Sequence, residues 1–90
     1  MKPFEWDENK REANLKKHSI DFIDAIKVFA DADRIELESS KNGESRYQVI
    51  GSMGDIIVIL LVYTDRNEKK RIISARRASK KERELYYSLR

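Results

Sequence analysis

The clearest periodic signal in the chain is at Phe22, Ala25, Ile26 and Phe29, spaced i, i+3, i+4 and i+7. That spacing lines four apolar side chains along one stripe and predicts a core-facing helix over about 21–29. Asp21 and Asp24 stand where they can cap its first turn. An earlier helix, from the Asp7 cap to about His18, is also expected. Only Ala13 and Leu15 are apolar within it, so it has little to bury, and Phe4 and Trp6 are placed to anchor its start under the sheet. Past residue 30 the period changes from 3.6 to 2. Arg34-Ile-Glu-Leu-Glu38 alternates like an outer strand, and Lys41-Asn-Gly-Glu44 supplies the Asn-Gly hairpin signal before a returning strand at 46–51. Ile56 to Tyr63 is a continuous, β-branched-rich run, as a strand buried on both faces should be. A turn at Asp65-Arg-Asn-Glu-Lys69 leads to a fourth strand, Arg71–Arg77. Ser79-Lys-Lys-Glu82 then has capping-box spacing and opens a helix to about Leu89. The order ααββββα predicts an α+β fold with two N-terminal helices, a four-stranded antiparallel sheet and a C-terminal helix.

The fourth strand is unusual for a strand beside a core, because arginines stand in it. Strict alternation would put Arg71, Ile73, Ala75 and Arg77 on one face and Ile72, Ser74 and Arg76 on the other. Charge sharpens the picture. Residues 69–90 hold nine Lys or Arg against two Glu, whereas residues 1–68 hold ten basic and fourteen acidic side chains. The basic end of the chain invites a polyanion.

Composition removes several classes. Ninety residues are enough for one small domain, expected over 1–90. The absence of cysteine excludes a disulfide framework and a thiol nucleophile, and a single histidine makes a histidine zinc site improbable. The longest apolar run is far short of the roughly 18 to 20 residues that span a bilayer. Met1-Lys-Pro-Phe-Glu-Trp-Asp7 shows no signal-peptide pattern. A soluble, cytoplasmic protein without membrane contact is the expectation. Charged residues make up 39% of the chain but are interspersed with periodic apolar segments, which favours a folded domain with a charged surface over disorder.

Phe4-Glu-Trp-Asp7, Lys10, Asn14, Lys17-His18, Phe22, Ala25, Val28-Phe29, Glu44-x-Arg46, Ile50-Gly51, Val62-Tyr-Thr-x-Arg66 and Arg71-Ile-Ile-Ser-Ala-Arg-Arg-Ala-Ser-x-x-Glu82-Arg83-x-x-Tyr86 together resemble the BrnT toxins. The resemblance runs from residue 4 to about 87, and its most specific part is Arg-Ile-Ile-Ser-Ala-Arg followed by the Glu-Arg helix. It implies a RelE-like fold and cofactor-free, metal-independent cleavage of RNA that inhibits translation. It also implies an antitoxin of the BrnA type that inhibits the toxin and binds operator DNA with it. Operator DNA would then be met only through that antitoxin, in a heterotetramer built on an antitoxin dimer. One departure is Ser19, where the family usually has glycine.

Metal-free cleavage needs the 2′-OH deprotonated, the 5′-oxygen protonated and negative charge stabilised at phosphorus. Arginine suits the last task, since its planar fork can grip two phosphate oxygens and stays charged. Arg46, Arg66, Arg71, Arg76 and Arg77 are candidates, with Arg46, Arg66 and Arg76 assigned to catalysis and Arg71 and Arg77 to RNA binding. The alternative is a set of solvated arginines paired with Glu36, Glu38 and Glu44. Lys10, Asn14, Lys17 and His18 share one face of the first helix. Lys17 and His18 are candidate RNA contacts, and His18 is open to two roles, acid/base or helix C-cap. Glu44 is the candidate base, or simply the group that holds Arg46. Lys80 and Tyr86 complete the expected RNA surface, Tyr86 by stacking or by donating to a phosphate. The competing reading is a non-catalytic nucleic-acid-binding module, or a degenerate toxin kept as a co-repressor, for which phosphate contacts alone suffice.

Overall fold

The computed structural model describes residues 3–54 and 57–89, without the side chain of residue 41. Asp55 and Ile56, the latter expected to begin the buried strand, lie outside the described residues. A two-residue strand β1 (Phe4–Glu5) leads to helix α1 (Glu8–His18), whose first amides are capped by the Asp7 carboxylate. Helix α2 (Phe22–Ala25), capped by Asp21, tightens into a 3₁₀ turn at Ile26–Ala30. Strands β2 (Ile35–Lys41), β3 (Glu44–Met53), β4 (Ile57–Arg66) and β5 (Lys69–Arg77) follow, and helix α3 (Lys80–Ser88) closes the order.

The sheet order is β1-β5-β4-β3-β2. The antiparallel meander is as expected, but the sheet is five-stranded and mixed, because β1 runs parallel to β5 with Phe4 opposite Lys70 and Glu5 opposite Arg71. Two residues carry no readable period, so only tertiary pairing reveals this strand. The second helix is also shorter than expected, its last turn being 3₁₀. The β2–β3 and β4–β5 turns use paired positive φ values: Asn42 and Gly43 (54° and 78°), and Asn67 and Glu68 (52° and 64°). This left-handed pair matches the twist of the adjoining strands.

Two apolar clusters sit on opposite faces of the sheet. On one face, Ile20, Phe22, Ala25 and Val28 pack against Val49, Ile59, Leu61, Tyr63, Ile72 and Ala75. On the other, Ala78 and Tyr86 cover Ile50, Val58 and Leu60. The continuous apolar run of β4 is thus explained, since it feeds both clusters. The 3₁₀ turn can approach β3 only because residue 51 is glycine. A Cβ there would stand 2.5 Å from Val28 Cγ2.

The open edge of β5 is closed by a side chain. Beyond the short reach of β1, Asn14 of α1 accepts from Ala75 N–H (3.1 Å) and donates to Ala75 C=O (2.8 Å) and Ile20 C=O (3.0 Å). The carboxamide thus acts like one residue of a neighbouring strand. It meets a need that no side chain packing could, because buried backbone groups require partners. α1, poor in apolar residues, is tied to the sheet in this way.

Candidate nucleic-acid interface

An irregularity in β5 decides where the arginines point. Leu61 pairs with Ala75 and Tyr63 with Ile72, so two steps along β4 match three along β5. This bulge shifts the alternation, as an extra residue in one strand must. Ile72 therefore joins Ala75 in the core under α1 and α2, and Arg71, opposite Thr64, moves to the face that carries Ser74 and Arg76. The expected grouping of Arg71 with Arg77 is corrected accordingly.

The face so formed holds Glu44 and Arg46 from β3, Thr64 and Arg66 from β4, and Arg71, Ser74 and Arg76 from β5. Thr64 is buried between the arginine-bearing strands, its hydroxyl donating to Ser45 C=O at 2.8 Å. α3 covers the apolar end of this face and leaves the basic end open. β4 lies between Arg46 and Arg76, so the two share a surface without being adjacent. From Arg76, opposite Leu60, to Arg71, opposite Thr64, the separation along the strands is about 13 Å.

Three of these arginines have carboxylate neighbours. Arg71 Nη1 donates to Glu5 Oε2 at 2.8 Å. Arg46 Nε lies 3.7 Å from Glu44 Oε1, an ion pair too long to be a hydrogen bond, and Nε itself is buried without a partner among the described residues. Arg76 is gripped hardest, with Nη1 and Nη2 each 2.9 Å from an oxygen of Glu82. The Arg76 hydrogen bond, opposed by burial and helped by the Ser79 amide, holds the Glu82 carboxyl below its ordinary range, and Glu82 in turn raises Arg76. Glu36, a partner only in the alternative reading of solvated arginines, pairs with Arg34. Arg66 is exposed beside the β4–β5 turn and carries no ion pair among the described residues.

The remaining expected residues divide. Lys17 and the half-buried His18 border a cleft of about 240 Å³ against the edge of β5, where Ile73 and Ser74 form the opposite wall. They therefore flank the arginine face from the side of α1. Asn14, read as part of that polar face, is instead turned into the sheet. Lys80 is exposed in the first turn of α3. Arg77 is exposed opposite Ile59, on the face away from Arg76. Tyr86 is only 3% exposed and its hydroxyl donates to Asp31 Oδ2 at 2.5 Å. It packs α3 onto the sheet rather than presenting a ring at the surface.

Tyr63 is likewise interior, its hydroxyl between Glu36 Oε1 (3.0 Å) and Lys70 Nζ (3.1 Å). Burial first, and the Glu36 carboxylate second, push this phenol far above its ordinary range. It is not an acid for neutral-pH chemistry.

A family model described as the ribonuclease toxin BrnT of type II toxin-antitoxin systems matches residues 6–82. The chain belongs to the BrnT toxin family. A crystal structure of the Brucella abortus ribonuclease toxin BrnT is similar to it, with 27% sequence identity and a TM-score of 0.69. The match covers 89% of this chain and 100% of that one. No curated protein sequence matches. A sheet surface that sets several guanidiniums around buried Thr64 suits a polyanionic chain better than a small apolar ligand. Among the described residues no helix is long and apolar enough to cross a membrane.

Three features of this site were not readable beforehand. The β5 bulge, the Asn14 clamp and the Arg76–Glu82 grip each join residues that the one-dimensional pattern treats separately. Asn14 was legible only as part of a polar helix face, Arg76 only as a basic candidate and Glu82 only as a helix cap.

Proposed function

We propose that this ribonuclease toxin is a metal-independent endoribonuclease that cleaves RNA through the 2′-OH and inhibits translation in the cytoplasm. A BrnA-like antitoxin covers its arginine face and carries the complex to operator DNA as a heterotetramer. The observation that supports this reading best is the bulge-directed convergence of Arg46, Arg66, Arg71 and Arg76 on one open face. In the proposed reaction Glu44 accepts the 2′-OH proton, the 2′-oxygen attacks phosphorus to close a 2′,3′-cyclic phosphate, and the 5′-oxygen leaves, taking a proton from solvent to become the 5′-hydroxyl. Arginines neutralise the charge that builds on the phosphoryl oxygens. Lys17 and His18 hold the neighbouring stretch of RNA, with Lys80 at the margin of the surface. Arg77, facing away, fits an antitoxin contact better than substrate.

The test is expression of the chain alone in bacteria, with and without Arg76→Ala, alongside cleavage of RNA by purified protein in EDTA. Arginine-dependent growth arrest and EDTA-resistant cleavage that yields 5′-hydroxyl ends are expected. Unchanged growth at normal expression would instead favour the non-catalytic binding module. Cleavage abolished by EDTA and restored by magnesium, with 5′-phosphate products, would overturn the 2′-OH mechanism.

A further inference from the structure

We infer that Glu82 is a positioning residue for RNA cleavage: it occupies the outer end of the Arg76 guanidinium and leaves the Nε–Nη2 edge as the one that docks a phosphate. The inference rests on the ribonuclease reading of the open face. A guanidinium carries five N–H groups in one plane. In Arg76, Nη1 donates to Glu82 Oε1 (2.9 Å) and Arg77 C=O (3.1 Å), and Nη2 donates to Glu82 Oε2 (2.9 Å). These bonds use both Nη1 protons and one Nη2 proton. The two that remain, Nε–H and the second Nη2–H, lie parallel on the side edge, and no described residue accepts from them. Such a parallel pair is the geometry in which arginine binds phosphate through two hydrogen bonds. An unrestrained arginine offers a ligand either edge, whereas Glu82 removes the end edge and fixes the plane of the other.

Glu82 can do this because it is itself held. Its Oε1 accepts from Ser79 N–H at 2.8 Å, and its own amide donates to Ser79 Oγ at 3.2 Å, so the capping box that starts α3 also orients the carboxylate. α3 in turn is seated through Ala78 and Tyr86 on Ile50, Val58 and Leu60. A rigid path thus runs from the sheet core to the guanidinium plane. The arrangement carries an electrostatic consequence. The carboxylate cancels the charge of Arg76 toward a distant phosphate while fixing its direction, so removing that negative charge favours RNA binding and harms orientation.

Glu82→Gln separates these effects, since glutamine at this position still completes a capping box. In the full-length protein the variant should fold cooperatively and melt below the wild type only by the small contribution of the lost ion pair. Its KM for RNA should be unchanged or lower, while kcat falls roughly tenfold to a hundredfold. In an Arg76→Ala background the same change should add no further loss, because the residue it positions is gone. A purely structural role would lower kcat through loss of folded protein, without lowering KM and without depending on Arg76. Wild-type kcat in Glu82→Gln, or an undiminished further loss on top of Arg76→Ala, would overturn the inference. The second measurement does not need turnover: arginine side-chain ¹⁵N NMR during titration with an uncleavable 2′-deoxy oligonucleotide. The expected result is a shifted Arg76 Nε–H with the Nη1 signals unmoved. A shift of Nη1, showing that the oligonucleotide displaces Glu82, or no Arg76 shift at all, would overturn it. Absence of wild-type cleavage alone would sink the ribonuclease reading, while the titration would still decide the docking edge.

Discussion

Asn14→Ala isolates the contact that ties the first helix to the sheet. The side chain is 7% exposed and its three hydrogen bonds reach Ala75 N–H, Ala75 C=O and Ile20 C=O. Truncation leaves one backbone donor and two acceptors without partners in a buried site. Leaving a buried group unsatisfied costs about 1 to 3 kcal/mol, with carbonyls at the low end, so a loss of about 2 to 4 kcal/mol is expected. For a domain of this size that lowers the melting temperature by roughly 10 to 25 °C, a large part of a total stability of order 5 to 15 kcal/mol. Urea denaturation followed by circular dichroism would measure it, with a lower midpoint at unchanged slope. Lys10→Ala, an exposed side chain one turn before Asn14, serves as the control and should stay within about 0.5 kcal/mol of wild type. If Asn14→Ala loses less than about 1 kcal/mol, a water replaces the carboxamide and the strand-like clamp is not what holds α1.

Four further outcomes can be checked. Ser19 closes α1 with φ 59°, where an L side chain is strained and glycine is not, so Ser19→Gly should stabilise the fold by about 1 kcal/mol in the same assay. Gly51→Ala should cost about 1 to 3 kcal/mol, because the new methyl meets Val28, which is fully buried and has no space to retreat into. RNA affinity should fall with salt at a logarithmic slope near −3 if four arginines each neutralise a phosphate, and Arg46→Ala should make that slope shallower by about 0.7. Glu82, whose carboxyl titrates below its ordinary value of 4.5, contributes stability that is fully present above that value and lost as pH falls through the lowered one. Glu82→Gln should therefore flatten the acid limb of a stability-against-pH curve, and an unchanged limb would show that the pair adds nothing to folding.

What the sequence determined by itself is whatever rests on local period and capping. The Asp7 and Asp21 caps, the Asn42-Gly43 turn, the doubly buried β4 run and the Ser79–Glu82 box are present as expected, and the Phe22-Ala25-Ile26-Phe29 stripe faces the core although its second half winds as 3₁₀. Each depends on residues within about one turn of one another, so the chain carries the information in order. The basic end and the arginines of β5 were legible for the same reason, as was the family resemblance. The tertiary structure decided how those residues meet. β1 is too short to show a period and exists only because β5 offers it an edge. The alternation expected for Arg71–Arg77 fails at one extra residue, since core packing of both Ile72 and Ala75 outweighs a regular ladder, and that shift places Arg71 with Arg76. Asn14 reaches across 61 positions to Ala75, and Glu82 doubles as helix cap and arginine clamp. Such pairings are set by which backbone and charged groups would otherwise be buried without partners, a condition that exists only once the sheet and helices are in place.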